Sequence, residues 1–173
     1  MSVKAQIVFI GQDKNAIEKV LEEASKRQIS VIWVNTGLTV LPNIPCGSII
    51  KFTRPQSTEI TLASHINRGL IEAGDSPIFL LHDRSFYLIQ NFDICVHVSS
   101  SVPRMAAVHA NFHTVAGFQK VSNVPIFGTL YLRDALSSIG FFDHSIRDLS
   151  ILSQEWAGRA TRKGWGCYLT KSL

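Results

Sequence analysis

The sequence predicts an α/β protein, a three-layer α/β/α sandwich on a mainly parallel sheet, folded as a single domain over residues 1–173. Three observations carry that expectation. The first half alternates short apolar runs with amphipathic stretches of helical spacing, the pattern of βαβ units. The apolar runs are continuous rather than alternating, as expected for strands buried on both faces of a sheet. Size and composition agree: 173 residues, 46% hydrophobic and 17% charged, suffice for one continuous core and are too apolar for disorder.

Taken in order, Gln6-Ile-Val-Phe-Ile10 is the first strand. Gly11-Gln-Asp-Lys-Asn15 turns into a helix with Asp13 or Asn15 as its N-cap. From Ala16 to Arg27, the residues Ile17, Val20, Leu21 and Ala24 recur at helical spacing. Ser30-Val-Ile-Trp-Val34 is a second strand ending in Asn35-Thr-Gly37, parallel to the first through a right-handed crossover. Leu38 to Ser57 is rich in Pro, Gly and Asn around one short strand, Ser48 to Phe52. A helix from about Ile60 to Ala73 follows, with Thr58 as cap and Glu59 at the positive end of its dipole. A Gly-Asp-Ser-Pro turn then leads into a buried strand, Ile78 to Leu81. That strand delivers His82, Asp83 and Arg84 at its carboxyl end, where open α/β sheets bind their ligands.

The second half is less regular. Phe86 to Leu88 and Ile94 to Val98 read as short strands, and Ser99 to Pro103 as a loop. Met105 to His113 fits helix or strand. On a helix, His109 and His113 would share one face at a metal-like spacing, but no third ligand accompanies them. Val124 to Leu132 is apolar around Gly128. A helix from Arg133 to Ile139 stops at Gly140. A last helix from about Ile151 to Lys163 ends at Gly164, before a final strand from Trp165 to Leu169.

The net charge of +4 is mild and its Lys and Arg residues are scattered, which suits a phosphate ligand and argues against nucleic acid. Cys46, Cys95 and Cys167 are odd in number and far apart, so neither a zinc site nor a disulfide framework is expected. The N-terminus lacks a signal-peptide pattern, and no apolar run approaches the roughly 20 residues of a membrane span. A cytoplasmic protein is the expectation.

Four segments, in order, resemble the glycosyltransferase family 2 pattern on the GT-A (nucleotide-diphospho-sugar transferase) fold, a Rossmann-related architecture. Val34-Asn-Thr-Gly-Leu-Thr39 resembles the family's Val-Asp-Asn-Gly-Ser-Thr. Asn67-Arg-Gly-Leu70, with the following strand into His82-Asp-Arg84, is similar to Asn-x-Gly before the Asp-x-Asp metal motif. Gly128-Thr-Leu-Tyr-Leu-Arg-Asp134 leading to Ile139-Gly-Phe-Phe-Asp143 resembles the segment lining the acceptor side. Glu155-Trp-Ala-Gly-Arg159 with Gly164-Trp165 is similar to the tail of the Glu-Asp-x-Asp-Leu-x-x-Arg-x-x-x-x-Gly-Tyr motif.

The resemblance implies a nucleotide-sugar donor and a sugar or other hydroxyl acceptor. It assigns Asn35, Thr36, Gly37, Asn67, Asp83 and Arg84 to donor binding, with Asn35 at the base and Asp83 and Arg84 at the diphosphate. Asp143 and Glu155 become the catalytic candidates on the acceptor side, with Asp148 between them, and Trp165 could stack on a sugar. Mn2+ or Mg2+ would be held by His82 and Asp83. A second copy or a partner subunit could complete the acceptor side.

The departures are as informative as the matches. Asn35 stands where the family reads the base with Asp, and His82 and Arg84 replace both outer carboxylates of the metal motif. Ser153 (or Leu152, with a one-residue slip) stands at the usual general base. Arg84 could neutralise the diphosphate in place of a metal, or form a surface ion pair with Asp83. Glu155 could pair with Arg159, one helical turn on. Two other readings therefore stay open: a GT-A-like binding or scaffold module without catalysis, and an unrelated doubly wound protein with another phosphate ligand.

Overall fold

The computed structural model describes residues 4–56, 60–111 and 117–171. Four strands of the first half, β1 (Gln6–Gly11), β2 (Ser30–Asn35), β3 (Ile49–Thr53) and β4 (Ile78–His82), run parallel to one another. The second half supplies β5 (Met105–Asn111), β6 (Phe118–Val121), β7 (Thr129–Tyr131) and β8 (Gly166–Lys171). All eight form one sheet in the order β3-β2-β1-β4-β7-β5-β8-β6. β7 is antiparallel to both β4 and β5, β8 is parallel to β5, and β6 closes the far edge antiparallel to β8.

Helices cover both faces, which makes the three layers. On one side α1 (Lys14–Lys26) and α3 (Phe92–Ser99) pack Ile17, Leu21, Phe92 and Cys95 against Ile7 and Phe9 of β1 and Trp33 of β2. On the other, α2 (Leu62–Glu72), α4 (Arg133–Ile139) and α5 (Leu149–Arg162) bring Ile66, Leu70, Leu136 and Trp156 against Val8 and Ile10 of β1 and Val34 of β2. Alternate residues of one apolar strand thus feed two cores, which is why β1 carries no polar face. Gly69 lets α2 lie close on the sheet, since a Cβ there would sit 2.3 Å from Val8 Cγ1.

Asp13 caps α1 as expected, accepting from the N–H groups of Asn15 and Ala16. Gly140 stops α4 with φ +91°, a conformation that favours glycine. α2 starts at Leu62 behind the N-cap Thr61, two residues later than expected; Thr58 and Glu59 lie outside the described residues.

Three expectations change. The strands expected at residues 86–88 and 94–98 are a 3-10 turn, Phe86–Asn91, followed by α3. Ile89, Phe92, Cys95 and Val98 are the buried apolar positions, a three-residue spacing that faces one side of a helix. The residues between them, Ile94 and Val96, only look like strand alternation. The ambiguous segment after Met105 is strand β5, so the helical pairing of His109 with His113 does not form; His113 itself lies outside the described residues. β6 was not anticipated, because its Phe-Gln-Lys-Val residues are those of an exposed sheet edge.

Candidate functional site

The C-terminal ends of β2, β1 and β4 lie side by side, with Asn35 beside Gly11 and Ile10 beside His82. A cleft of about 330 Å³ opens at the β2 end, lined by residues 35–39, by Arg54 and Pro55 beyond β3, and by His65 of α2. The predicted Asn35, Thr36 and Gly37 are therefore together in one concave site. Asn35 shapes it: its Oδ1 accepts from the Gly37 and Leu38 N–H groups at 2.9 and 2.7 Å, and its Nδ2 donates to the Leu38 carbonyl at 2.8 Å. At 4% exposure the side chain is part of the cleft floor, and both Oδ1 lone pairs are engaged.

Beyond β4, His82, Asp83 and Arg84 diverge. Asp83 turns back over β1, accepting from the backbone N–H of Gln12 (3.0 Å) and of Asp13 (3.1 Å) with one oxygen each. The close approach needs Gly11, where a Cβ would sit 1.9 Å from Asp83 Oδ1. Asp83 thus fills the amide pocket ahead of α1 that an anion would otherwise occupy. The His82 ring lies on Phe127, with centroids 5.1 Å apart, and its Nδ1 accepts from the Arg84 N–H at 3.4 Å. Burial holds its pKa below the ordinary value, partly offset by Asp83. Arg84 is exposed, and its guanidinium has no ion pair among the described residues, so the expected pair with Asp83 does not form.

These residues do not fit a divalent cation. Magnesium and manganese need several oxygen ligands in near-octahedral array. The only carboxylate of the trio has both oxygens bound by amides. With Nδ1 accepting, neutral His82 carries its proton on Nε2, so neither nitrogen offers a free lone pair. Arg84 adds a permanent positive charge. Among the described residues, no three His, Cys, Asp or Glu side chains come together as ligands.

Asn67, expected to bind the donor, holds the backbone of Phe142, donating from Nδ2 to its carbonyl at 2.7 Å and accepting its N–H at 3.0 Å. It joins the second and third family-like segments. Glu155 and Arg159 form the two-point ion pair, with Nε to Oε1 at 2.6 Å and Nη2 to Oε2 at 2.9 Å. Arg159 also donates to the carbonyls of Ile139 and Phe141, and Trp156 Nε1 donates to that of Gly140. Ser153 is buried and donates to the Val124 carbonyl, and Asp148 is the N-cap of α5. Trp165 lies under Arg104, 5.2 Å from guanidinium to ring. Asp143 stands at the surface, its Oδ1 accepting from the Ser145 N–H and Oγ, bonds that hold its carboxyl below the usual range.

Arg54 and His65 line the cleft and were not anticipated. The strand-end rule that singled out Asn35 and His82 would have found Arg54, two residues past the expected end of β3. His65 carried no local signal, because its position depends on how α2 docks.

No protein-family model matches the chain, and no curated protein sequence matches it. Solved structures do. One is GalNAc-T7, crystallised with UDP, GalNAc and Mn2+, at TM-score 0.70 and 8% identity over 97% of this chain and 42% of that one. Another is residues 1–349 of S. aureus TarS, at TM-score 0.59 and 10% identity over 97% of this chain and 60% of that one. The chain spans about two fifths and three fifths of the length of these crystallised chains. With its parallel half-sheet, its inserted antiparallel strand β7 and the crevice at the strand ends, the chain has a GT-A-like fold.

Proposed function

We propose that the chain binds a nucleotide-sugar donor in the crevice beyond β2, β1 and β4 and acts as a glycosyltransferase toward a hydroxyl acceptor. One observation carries this reading. The residues that the sequence marked for donor binding, Asn35, Thr36 and Gly37, line a concave site at the C-terminal edge of a GT-A-like sheet, where such sheets bind ligands. The GalNAc-T7 structure contains UDP on the same fold.

For transfer, an acceptor hydroxyl must lose a proton as the sugar leaves its diphosphate. Asp143 is the carboxylate suited to take it. It is exposed, ionised at neutral pH, and only its Oδ1 accepts hydrogen bonds among the described residues. Glu155 is held on both oxygens by Arg159. That pair, with Ser153 turned into the core, favours a second reading in which the domain binds a donor without turnover.

A panel of nucleotide sugars in a thermal-shift assay tests the first step. At least one member should raise Tm, and Thr39→Trp, which fills the cleft, should remove the shift. A flat response across the panel would refute donor binding. Release of free nucleoside diphosphate in the presence of acceptors then separates transferase from binding module.

A further inference from the structure

We infer that the site recognises the diphosphate of its ligand through the fixed charge of Arg84, without a metal ion. The inference rests on the donor-site reading above and specifies its chemistry.

A metal ion would bridge a diphosphate and protein carboxylates, and the end of β4 offers none that is available. Asp83 is folded back onto the Gln12 and Asp13 amides over Gly11. Releasing it would expose two backbone donors and cost the hydrogen bonds of a charged group. His82 is packed on Phe127 with Nδ1 engaged. What remains at this strand end is Arg84, exposed and unpaired among the described residues.

Its place matches the need. Asn35 and His82 close strands two apart in the sheet, on either side of β1. At about 4.8 Å per strand, the cleft floor and the end of β4 are about 10 Å apart. One nucleoside diphosphate spans that distance with its base in the cleft and its phosphates toward Arg84. A guanidinium offers a planar fork of donors to phosphate oxygens and stays charged at any working pH.

Calorimetric titration of the full chain with UDP, and then with the other common nucleoside diphosphates, decides the matter. Kd should be the same within about twofold in EDTA and in Mn2+. Arg84→Ala should weaken binding by about tenfold or more, the usual effect of removing a hydrogen bond to a charged group. Arg84→Lys should recover part of the loss. Because Arg84 is exposed, an unchanged Tm will show that the variants fold. Binding that needs Mn2+, or that ignores Arg84→Ala, overturns this inference and leaves the donor site standing. Absence of binding by every nucleoside diphosphate, with and without metal, overturns both.

Discussion

Asp83 shows how a residue that looks like a ligand can be a strut. Its carboxylate bridges the end of β4 to the loop between β1 and α1, two segments about seventy residues apart, through one N–H to each oxygen. Asp83→Asn tests this with almost no change of shape. The amide keeps one acceptor but sets an N–H donor against a backbone N–H. One backbone donor is then left facing another, and the loss should be about 1–3 kcal/mol. Urea denaturation should show a lower midpoint with an unchanged slope. An unaltered midpoint would mean that the bridge contributes nothing. Asn67, Asn35 and Glu155 follow the same pattern, each with its polar atoms committed to neighbouring backbone or to Arg159. The sequence placed Asn35 and Asp83 at strand ends and Asn67 and Glu155 on helices, as the structure has them. Their partners were not legible, because which way a short polar side chain turns depends on backbone brought close only in the fold. For Glu155 the i, i+4 spacing to Arg159 was a local signal, and there the structural pairing was visible in advance.

At the scale of elements, legibility follows periodicity. β1, β2 and β4 are long apolar runs between turn signals, and α1 and α4 carry their own caps, so all five were readable. α3 was not. With only eight residues, five of them apolar, it satisfies strand and helix patterns alike, and only burial against β5 and the 3-10 turn distinguishes them. α5 was recognised but begins at Leu149, earlier than expected, because Asp148 accepts from the N–H groups of Ser150 and Ile151 at 2.9 and 3.0 Å. That cap fixes where the helix carrying Trp156 and Arg159 starts, and so how the loop around Gly140 is held. Asp148→Ala should cost about 1 kcal/mol. Thermal unfolding followed by circular dichroism should show a Tm lower by a few degrees. A wild-type Tm would mean the first turn is held by packing alone.

For the whole molecule, the acid side of the stability curve is set in part by a buried histidine at the seam between the two halves of the sheet. His109 of β5 is 8% exposed and lies beside Thr129 of β7, the strand inserted next to the parallel half. Thr129 Oγ1 donates to the Pro125 carbonyl at 2.6 Å, so at 3.2 Å it accepts from Nδ1–H of His109. Nδ1 thus carries a proton in the fold. Burial pushes its pKa below the ordinary value, partly offset by the Gly128 backbone. His82, at the end of β4, is shifted in the same direction by its own burial. With the folded pKa below that of the unfolded chain, the unfolded state binds more protons in the interval between them. Stability therefore rises with pH across that interval and falls as the pH drops below about 6.5, the ordinary histidine value. The carboxylates held low by their partners, Glu23, Glu72 and Asp143, act in a separate window below about 4.5. Urea midpoints measured from pH 8 down to pH 5 isolate the histidines. The wild-type midpoint should decline through this range. His109→Asn keeps a donor near the Nδ1 position but cannot take up a proton, and its decline should be shallower. Equal slopes for the two proteins would remove His109 from the acid response and leave His82 as the group to test.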